Sequence, residues 1–172
     1  AINEGLNAVI VNPGIIIGGG FWETESAEIY HKINKGFPFF TKGTTGFIAV
    51  TDVVNCMVRL MEINQFNNRF ILVADNPTFE EVFTHVAIGL NKNKPKYYVS
   101  PFITSVLWRI DGFLSFVFSK KRLITKYTAK SAHSKTYYSN KKITETLNYS
   151  FFPILNYIEL VGEEFRKYKK TA

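Results

Sequence analysis

A chain of 172 residues that is 46% hydrophobic and 20% charged has room for one globular domain, or for part of a larger one. The single cysteine, Cys56, excludes an intrachain disulfide and favours a reducing compartment, so we expect a cytoplasmic protein. Residues 91–172 hold 16 Lys/Arg against 5 Asp/Glu, a net charge of +11, but these lysines are scattered and predict no nucleic-acid partner.

The first predicted element is a strand over residues 8–12, whose continuous apolar run is typical of a parallel strand covered on both faces. The strand stops at Asn12-Pro13-Gly14, because proline cannot donate a ladder hydrogen bond and glycine permits unusual dihedral angles. An amphipathic helix is predicted over residues 25–36, and two short strand segments follow around a turn at residues 42–46.

The rest of the chain continues to alternate between helical and strand-like patterns. Thr51 or Asp52 is expected to cap a helix that runs to about Glu62. The later predicted elements are a buried strand at 69–75, a helix opened by Asn76-Pro77-Thr78, a short strand at 97–99, helices at 101–118 and 122–132, a short strand at 136–140, and helices at 141–149 and 153–170. Alternation of this kind predicts an α/β fold with at least two parallel strands.

The turn after the first strand is a candidate functional site. In an open parallel sheet, ligands bind beyond the carboxyl ends of the strands, and Asn12-Pro13-Gly14 occupies such an end. The amides of the following residues are expected to lack a strand partner and to face a ligand, and residues 18–20, three glycines, extend this permissive backbone. An ordinary structural turn is the alternative interpretation of the same residues.

Four stretches of the chain, taken in order, resemble the C-terminal half of the extended short-chain dehydrogenase/reductase family, also called the NAD-dependent epimerase/dehydratase family. VIVNPGIIIGGG resembles its N-P-x-x-V-x-G strand end, and FIAVTDVVNCMVRLME resembles its V-D-V-x-D-V-A segment. RFILVADNPTFEEV comes third, and YYSNKKITETLNYSFFP resembles the closing S-x-K-x-x-x-E-L-G-Y-x-P element. The Asn-Pro pair makes the chain most similar to the dihydroflavonol reductase-like and 3β-hydroxysteroid dehydrogenase-like branch.

The resemblance implies an α/β fold, the C-terminal portion of a Rossmann-type doubly wound parallel sheet plus a mainly helical substrate-binding subdomain. Residues 1–20 and 52–75 would belong to the cofactor side, and residues 21–51 and 76–172 mainly to the substrate subdomain. The N-terminal half, with the glycine-rich loop, is expected on polypeptide outside this chain. The implied cofactor is NAD or NADP, since the residue that distinguishes the two would lie in that half.

The resemblance also implies roles for particular residues. Pro13 would pack beside the nicotinamide ring, and the backbone of Gly14, Ile15 and Ile16 would meet its carboxamide. Ser26 would approach the cofactor pyrophosphate near a helix N-terminus. Phe21 and Trp22 would form part of the wall over a small-molecule substrate, with a cluster of surface-loop aromatics as the alternative interpretation.

The catalytic groups of the family are not predicted within this chain. They are a serine or threonine and a Tyr-x-x-x-Lys pair on one face of a helix, and the segment alone is therefore expected to be inactive. Tyr137 and Tyr138 each precede a lysine by four positions, but both are predicted to lie before the helix that starts near Lys141. The three histidines and Cys56 show no metal-ligand spacing, so no metal site is predicted.

Three functions remain open at this point. The first is part of an NAD(P)-dependent oxidoreductase that transfers hydride between nicotinamide and a carbonyl or secondary alcohol, with helices 101–118 and 122–132 capping a hydrophobic substrate. The second is a nucleotide-sugar epimerase or dehydratase, with Arg109 and Arg122 as candidate phosphate clamps. The third is a non-catalytic module whose basic half attaches to a membrane surface. A sheet separated from its other half is also expected to self-associate.

Overall fold

The computed structural model describes residues 7–22, 27–117 and 125–171. In chain order the elements are β1 (Val9–Pro13), β2 (Ile15–Ile17), α1 (Glu28–Asn34), β3 (Phe39–Phe40), β4 (Phe47–Ala49), α2 (Val50–Glu62), β5 (Asn68–Leu72), α3 (Phe79–Leu90), β6 (Tyr97–Tyr98), α4 (Pro101–Val117), α5 (Lys126–Ser131), α6 (Lys141–Leu147) and α7 (Ile154–Thr171). Strands and helices alternate along the first half, and helices predominate in the second, as the sequence predicted.

Three parallel strand pairs organise the described residues. β1 pairs with β5, with Val9 opposite Asn68 and Pro13 opposite Leu72. β2 pairs with β4, and the short β3 pairs with β6. Strands 8–12 and 69–75 were predicted as buried parallel strands, and the structure places them side by side. Each parallel pair is joined through intervening helix, as parallel connections require.

The buried side chains form two apolar clusters. The larger one joins β2 and α1 to α3 and α7, with Tyr30, Phe47, Val86, Ile158 and Phe165 among its members. The smaller one lies between the β1–β5 pair and helices α2 and α6, and it contains Cys56, Leu60, Phe70, Leu72 and Ile143. Helix α6 therefore packs on the β1–β5 pair.

Helices α3 and α7 approach closely because each carries a glycine where they meet. A Cβ added at Gly162 would lie 3.0 Å from the Cα of Gly89, and one added at Gly89 would collide with the carbonyl oxygen of Glu159. The same crossing holds a polar pair, in which His85 Nδ1 lies 2.6 Å from Glu159 Oε1. Small residues at the crossing thus allow the backbones to pack without a separating side chain.

The helix starts follow local capping rules in one case and depart from them in another. Thr78 and Glu81 form a reciprocal capping box at the start of α3. Asp52 was predicted to cap α2, and this prediction is wrong, because the N-cap residue is Ala49 and no side chain caps it. The carboxylate of Asp52 is instead buried, 4% exposed, and accepts hydrogen bonds from residues almost 100 positions later.

One predicted strand is absent from the described residues. Residues 136–140 were expected to form a short strand, but only Lys135 makes a ladder contact there, an isolated bridge to Thr44. Asn76 holds the following segment through its side chain, since Asn76 Oδ1 accepts from the Tyr138 N–H at 2.8 Å and its Nδ2 donates to the Tyr138 carbonyl oxygen at 3.0 Å. A side chain thus replaces the expected backbone partner.

Candidate functional site

The backbone changes strand partner at Gly14. The Gly14 N–H donates to the Leu72 carbonyl oxygen at 3.0 Å, and the next amide, Ile15 N–H, donates to the Gly46 carbonyl oxygen at 2.8 Å. Glycine is required here because an added Cβ would collide with the carbonyl oxygen of Gly46. The prediction that both amides lack strand partners is therefore wrong, since each is used in the sheet.

Ile16 is placed differently from its two predecessors. Successive peptide groups in a strand point to opposite sides, so the Ile16 N–H points away from β4 when that of Ile15 points toward it. Within the described residues β2 pairs only with β4, so the outer edge of β2, to which the Ile16 peptide points, has no strand partner. Gly14, Ile15 and Ile16 were the backbone positions predicted to meet a carboxamide. Of these three, Ile16 is the one whose N–H points to the open edge of β2.

Pro13 lies at the carboxyl end of β1 and is exposed, in the position that ligands of parallel sheets occupy. Ile15 lies two residues further on, and 42% of it is exposed. Both are exposed apolar residues, one on each side of Gly14, and Ile15 directly precedes Ile16, whose peptide points outward. An apolar face next to an available amide and carbonyl fits a flat ring that carries a carboxamide, so these residues fit a nicotinamide.

The glycines at residues 18–20 have packing roles. A Cβ at Gly18 would lie 2.8 Å from Cγ1 of Val50, and one at Gly19 would collide with the carboxylate of Glu164. Gly20 has a φ of +96°, which favours glycine. Two of the three glycines therefore bring the chain close to α2 and α7, and the third turns it.

The other predicted site residues fall in different places. Ser26 lies outside the described residues. Phe21 is 83% exposed, whereas Trp22 is 7% exposed and packs edge-on against Phe165 at a ring-centroid distance of 5.0 Å. The carbonyl oxygen of Trp22 also lies 2.9 Å from Nε2 of His31. Packing in the core accounts for Trp22, and a substrate contact for either aromatic stays a prediction.

A large cavity lies elsewhere, in the predicted substrate subdomain. It has a volume of about 660 Å³ and is formed by α1, β3, α3, α4 and α5. Its lining is mainly aromatic and aliphatic, with Phe37, Phe39, Phe40, Phe79, Phe83, Val99, Ile103, Leu107 and Ala132 beside Lys32, Thr41, Thr104, Thr128 and Ser131. The volume is within the range of sites for drug-sized ligands.

The sequence located this cavity only in part. Residues 101–118 were predicted to line an apolar pocket, and Ile103 and Leu107 of α4 do so. The phenylalanines of β3 and α3 were not assigned to a pocket, because the sequence alone gives no partner for β3. The parallel pairing of Phe39 with Tyr97 is the long-range contact that brings β3 and the start of α4 together.

A buried carboxylate connects helix α2 to the C-terminal segment. Asp52 Oδ1 accepts from the Tyr149 hydroxyl at 2.7 Å, and Oδ2 accepts from the Phe152 N–H at 3.0 Å. Asn140 makes a second connection, since its Nδ2 donates to the Val73 carbonyl oxygen at 2.9 Å. The Asp52 contacts hold the segment before α7 against α2, and the Asn140 contact holds the start of α6 against the end of β5.

The remaining candidate residues are the tyrosines before α6, the two arginines and the possible metal ligands. Tyr137 and Tyr138 precede α6, so neither Tyr-x-x-x-Lys pair lies on one helical face, as the sequence predicted. Arg109 donates to the Ser105 carbonyl oxygen at 2.6 Å and lies 4.7 Å from the ring centroid of Trp108. Arg122 lies outside the described residues. Among those residues, no group of three His, Cys, Asp or Glu side chains could hold a metal ion.

The fold of the chain is similar to that of several solved structures. PA4631, a nucleoside-diphosphate-sugar epimerase from Pseudomonas aeruginosa, matches with a TM-score of 0.74 at 17% identity, over 97% of this chain and 50% of that one. UDP-glucuronic acid 4-epimerase from Bacillus cereus, in complex with UDP-glucuronic acid and NAD, gives 0.65 at 12% identity, over 98% and 48%. Human epimerase family protein SDR39U1 with NADPH gives 0.62 at 14% identity, over 92% and 48%.

The chain thus spans about half the length of these structures. Their likeness confirms the predicted fold class, the C-terminal portion of a Rossmann-type α/β protein. No family model and no curated protein matches the chain. Placement in the dihydroflavonol reductase-like branch stays a prediction that these structures do not support.

Proposed function

We propose that this chain is the C-terminal half of an NAD(P)-dependent oxidoreductase of the extended short-chain dehydrogenase/reductase type. Nicotinamide would carry the hydride to or from a carbonyl or secondary alcohol. The chain's own residues would bind the ring and hold the substrate, and a catalytic serine or threonine and a Tyr-x-x-x-Lys pair would come from the other half. The observation that carries the proposal is the exposed strand end at Pro13, in a fold shared with NAD- and NADPH-bound structures.

In this proposal Pro13 and Ile15 contact one face of the nicotinamide ring. The Ile16 peptide, which points away from β4, hydrogen-bonds the carboxamide and orients the ring. Gly14 acts indirectly, because its lack of a side chain lets the strand change partner from β5 to the Gly46 turn. The contribution of Gly14 is therefore to the position of Ile16, and its own amide makes no ligand contact.

We propose that the partner of this chain is an N-terminal half that continues the parallel sheet. In the described residues β1 pairs with β5 alone. Its outward side chains and those of β5 include Ile10 and Ile71, which are 37% and 38% exposed. A second layer of helices normally covers such a face in a parallel sheet. The apolar exposure of these two strands supports the need for a covering partner.

The ring contact can be tested on the ¹⁵N-labelled chain with nicotinamide mononucleotide, which carries the ring without the adenine half. We expect amide chemical shifts to change at Ile15–Ile17 and not at α6. Ile15→Asp should abolish these changes, whereas Ile10→Asp, at an isoleucine of similar exposure on β1, should preserve them. Absence of any shift at residues 13–17 at millimolar ligand would contradict the proposal.

A nucleotide-sugar epimerase or dehydratase is the second candidate, because two of the similar structures carry that description in their names. Such an activity needs cationic groups at the diphosphate. Arg109, one of the two predicted clamps, is turned back on its own helix. Turnover of UDP-sugars against that of hydrophobic ketones, measured on the protein with both halves present, separates the two candidates.

The membrane-attached module has no specific support. None of the helices in the described residues has the length and apolar character needed to cross a bilayer. Attachment of the basic half to a lipid surface stays a prediction, which co-sedimentation with anionic and neutral vesicles tests.

A further inference from the structure

The cavity behind β3 has an aromatic wall built by a two-residue strand pair. Phe39 lies 6.0 Å from Tyr97 and Phe40 lies 5.9 Å from Tyr98, measured between ring centroids. Phe37 extends the wall, with its ring edge-on to Phe39 at 5.6 Å. Aromatic side chains held in pairs lose little conformational entropy when a ligand packs on them, which favours binding of an apolar group.

Three of the hydroxyl groups that line the cavity already have partners. Thr104 Oγ1 lies 2.9 Å from His133 Nε2. Thr128 Oγ1 donates to the Thr125 carbonyl oxygen at 3.0 Å, and Ser131 Oγ donates to the Thr128 carbonyl oxygen at 3.1 Å. A ligand with several polar groups would have to compete with these intramolecular bonds, so the lining favours a ligand with few of them.

The cavity lining has too little positive charge to bind a diphosphate. Lys32 is the one charged residue among the described lining residues, and its Nζ lies 3.0 Å from Glu28 Oε1. Burial lowers the pKa of His133, which lies behind Thr104, and so disfavours a positive charge on this imidazole. A nucleoside diphosphate needs two or more cationic or amide donors, which this lining does not supply.

We propose that this cavity binds an apolar ketone or secondary alcohol, with an aromatic or aliphatic body packed between β3 and α4, and that it rejects nucleotide sugars. Identifying this ligand as the substrate rests on the proposed function. Binding of the ligand to the cavity is independent of the proposed function. The cavity is formed by α1, β3, α3, α4 and α5 and includes none of the residues assigned to the nicotinamide.

The test uses the 172-residue chain without any nicotinamide nucleotide. Benzylideneacetone and decan-2-one are titrated separately, and UDP-glucose is titrated as the polar competitor, with dissociation constants measured by NMR. We expect both ketones to bind and to shift signals of Ile103, Leu107 and Phe83, and we expect UDP-glucose to leave those signals unchanged. Binding of UDP-glucose at these residues, or binding of neither ketone, would overturn the proposal.

Two adjacent residues of α4 provide a matched pair of variants. Leu107 lines the cavity and is 41% exposed, whereas Val106 is 40% exposed and is not part of the lining. Leu107→Asp should weaken ketone binding at least about tenfold, because it places an unpaired charge in an apolar cavity, while Val106→Asp should leave it within about twofold. Equal loss in both variants would mean non-specific adsorption and would also overturn the proposal.

The two proposals fail in distinguishable ways. Ketone binding without nicotinamide mononucleotide shifts at Ile15–Ile17 would retain the apolar cavity and reject the oxidoreductase function. Shifts at Ile15–Ile17 without ketone binding would retain the cofactor contact and reject the substrate class.

Discussion

Asp52 and Tyr149 are joined by a 2.7 Å hydrogen bond, in which the tyrosine hydroxyl donates to a carboxylate that is 4% exposed. Desolvation by burial, followed by this hydrogen bond, raises the pKa of Tyr149, so the phenol remains protonated and donates. The second carboxylate oxygen accepts the Phe152 N–H at 3.0 Å. One side chain in the first turn of α2 therefore holds the segment that leads into α7.

Replacement of this carboxylate should destabilise the fold. In Asp52→Asn one of the two donors, Tyr149 or Phe152, meets an amide N–H₂ group instead of an oxygen, and we expect a loss of about 2 kcal/mol in the free energy of unfolding. Urea denaturation measures it. Asp75→Asn is the control, because within the described residues the Asp75 carboxylate accepts a hydrogen bond only from the backbone N–H of its neighbour Asn76. A similar loss in the control would reject the specific role of Asp52.

The crossing of α3 and α7 should not tolerate a side chain. In Gly162→Ala the new methyl group would lie 3.0 Å from the Cα of Gly89, so the helices must separate. Overpacking of this kind costs about 1–3 kcal/mol, which thermal unfolding would report as a lower Tm. Asn156→Ala, at an exposed position of the same helix, should change Tm little. An unchanged Tm in Gly162→Ala would show that the crossing has room.

The capping box of α3 predicts a pH-dependent contribution to stability. The pKa of Glu81 is lowered, first by the hydrogen bond from the Thr78 backbone N–H and then by that from the Thr78 hydroxyl. A carboxylate with a depressed pKa in the folded state stabilises the protein above its unfolded-state pKa. That stability is lost as pH falls through the folded-state value.

Thr78→Ala should therefore lower the stability by about 1 kcal/mol at neutral pH, and the difference from the unmodified chain should shrink in acid. Tm measured from pH 7 downward gives the profile. Thr146→Ala serves as the control, because within the described residues the Thr146 hydroxyl bonds only inside its own helix, to the Lys142 carbonyl oxygen. A difference that stays constant with pH would contradict the role of Glu81.

Cys56 should react slowly with thiol reagents. Burial, and secondarily the charge of Asp52, raises the pKa of its thiol to about 11, so little thiolate is present at neutral pH. We expect 5,5′-dithiobis(2-nitrobenzoic acid) to label the folded chain slowly at pH 8, faster as pH rises toward 11, and at once in guanidinium. Immediate labelling of the folded chain at pH 8 would show that the thiol is accessible.

Helix α2 should cause self-association of the isolated chain. Val54, Met57, Val58 and Met61 are exposed by 53%, 44%, 43% and 63% and lie on one side of the helix. Met57→Lys combined with Met61→Lys should lower the molar mass seen by light scattering, because a contiguous apolar patch is lost. Ile88→Lys, at an exposed residue of α3, is the control and should have little effect. A monomeric unmodified chain would contradict the prediction.

The strand and helix order followed from periodicity, because each element carries its own apolar pattern. Errors arose where a side chain bonds to a distant part of the chain. Asp52 stands where a cap is expected and binds Tyr149 instead, and residues 136–140 look like a strand but are held by Asn76. Neither partner is near in sequence, so local rules could not identify it.

The sequence by itself determined that a parallel strand ends around Asn12-Pro13-Gly14 and that an apolar helical segment follows Pro95, because proline, glycine and apolar spacing act within a few residues. Only the tertiary structure decided which peptide at that break points outward. The N–H groups of Gly14 and Ile15 donate to the carbonyl oxygens of Leu72 and Gly46. The N–H of Ile16 points to the outer edge of β2, which has no strand partner in the described residues. The same holds for the cavity, whose walls meet because β3 pairs with β6 across 58 residues, from Phe39 to Tyr97. Contacts of that range depend on how the whole core packs, and a local pattern does not encode them.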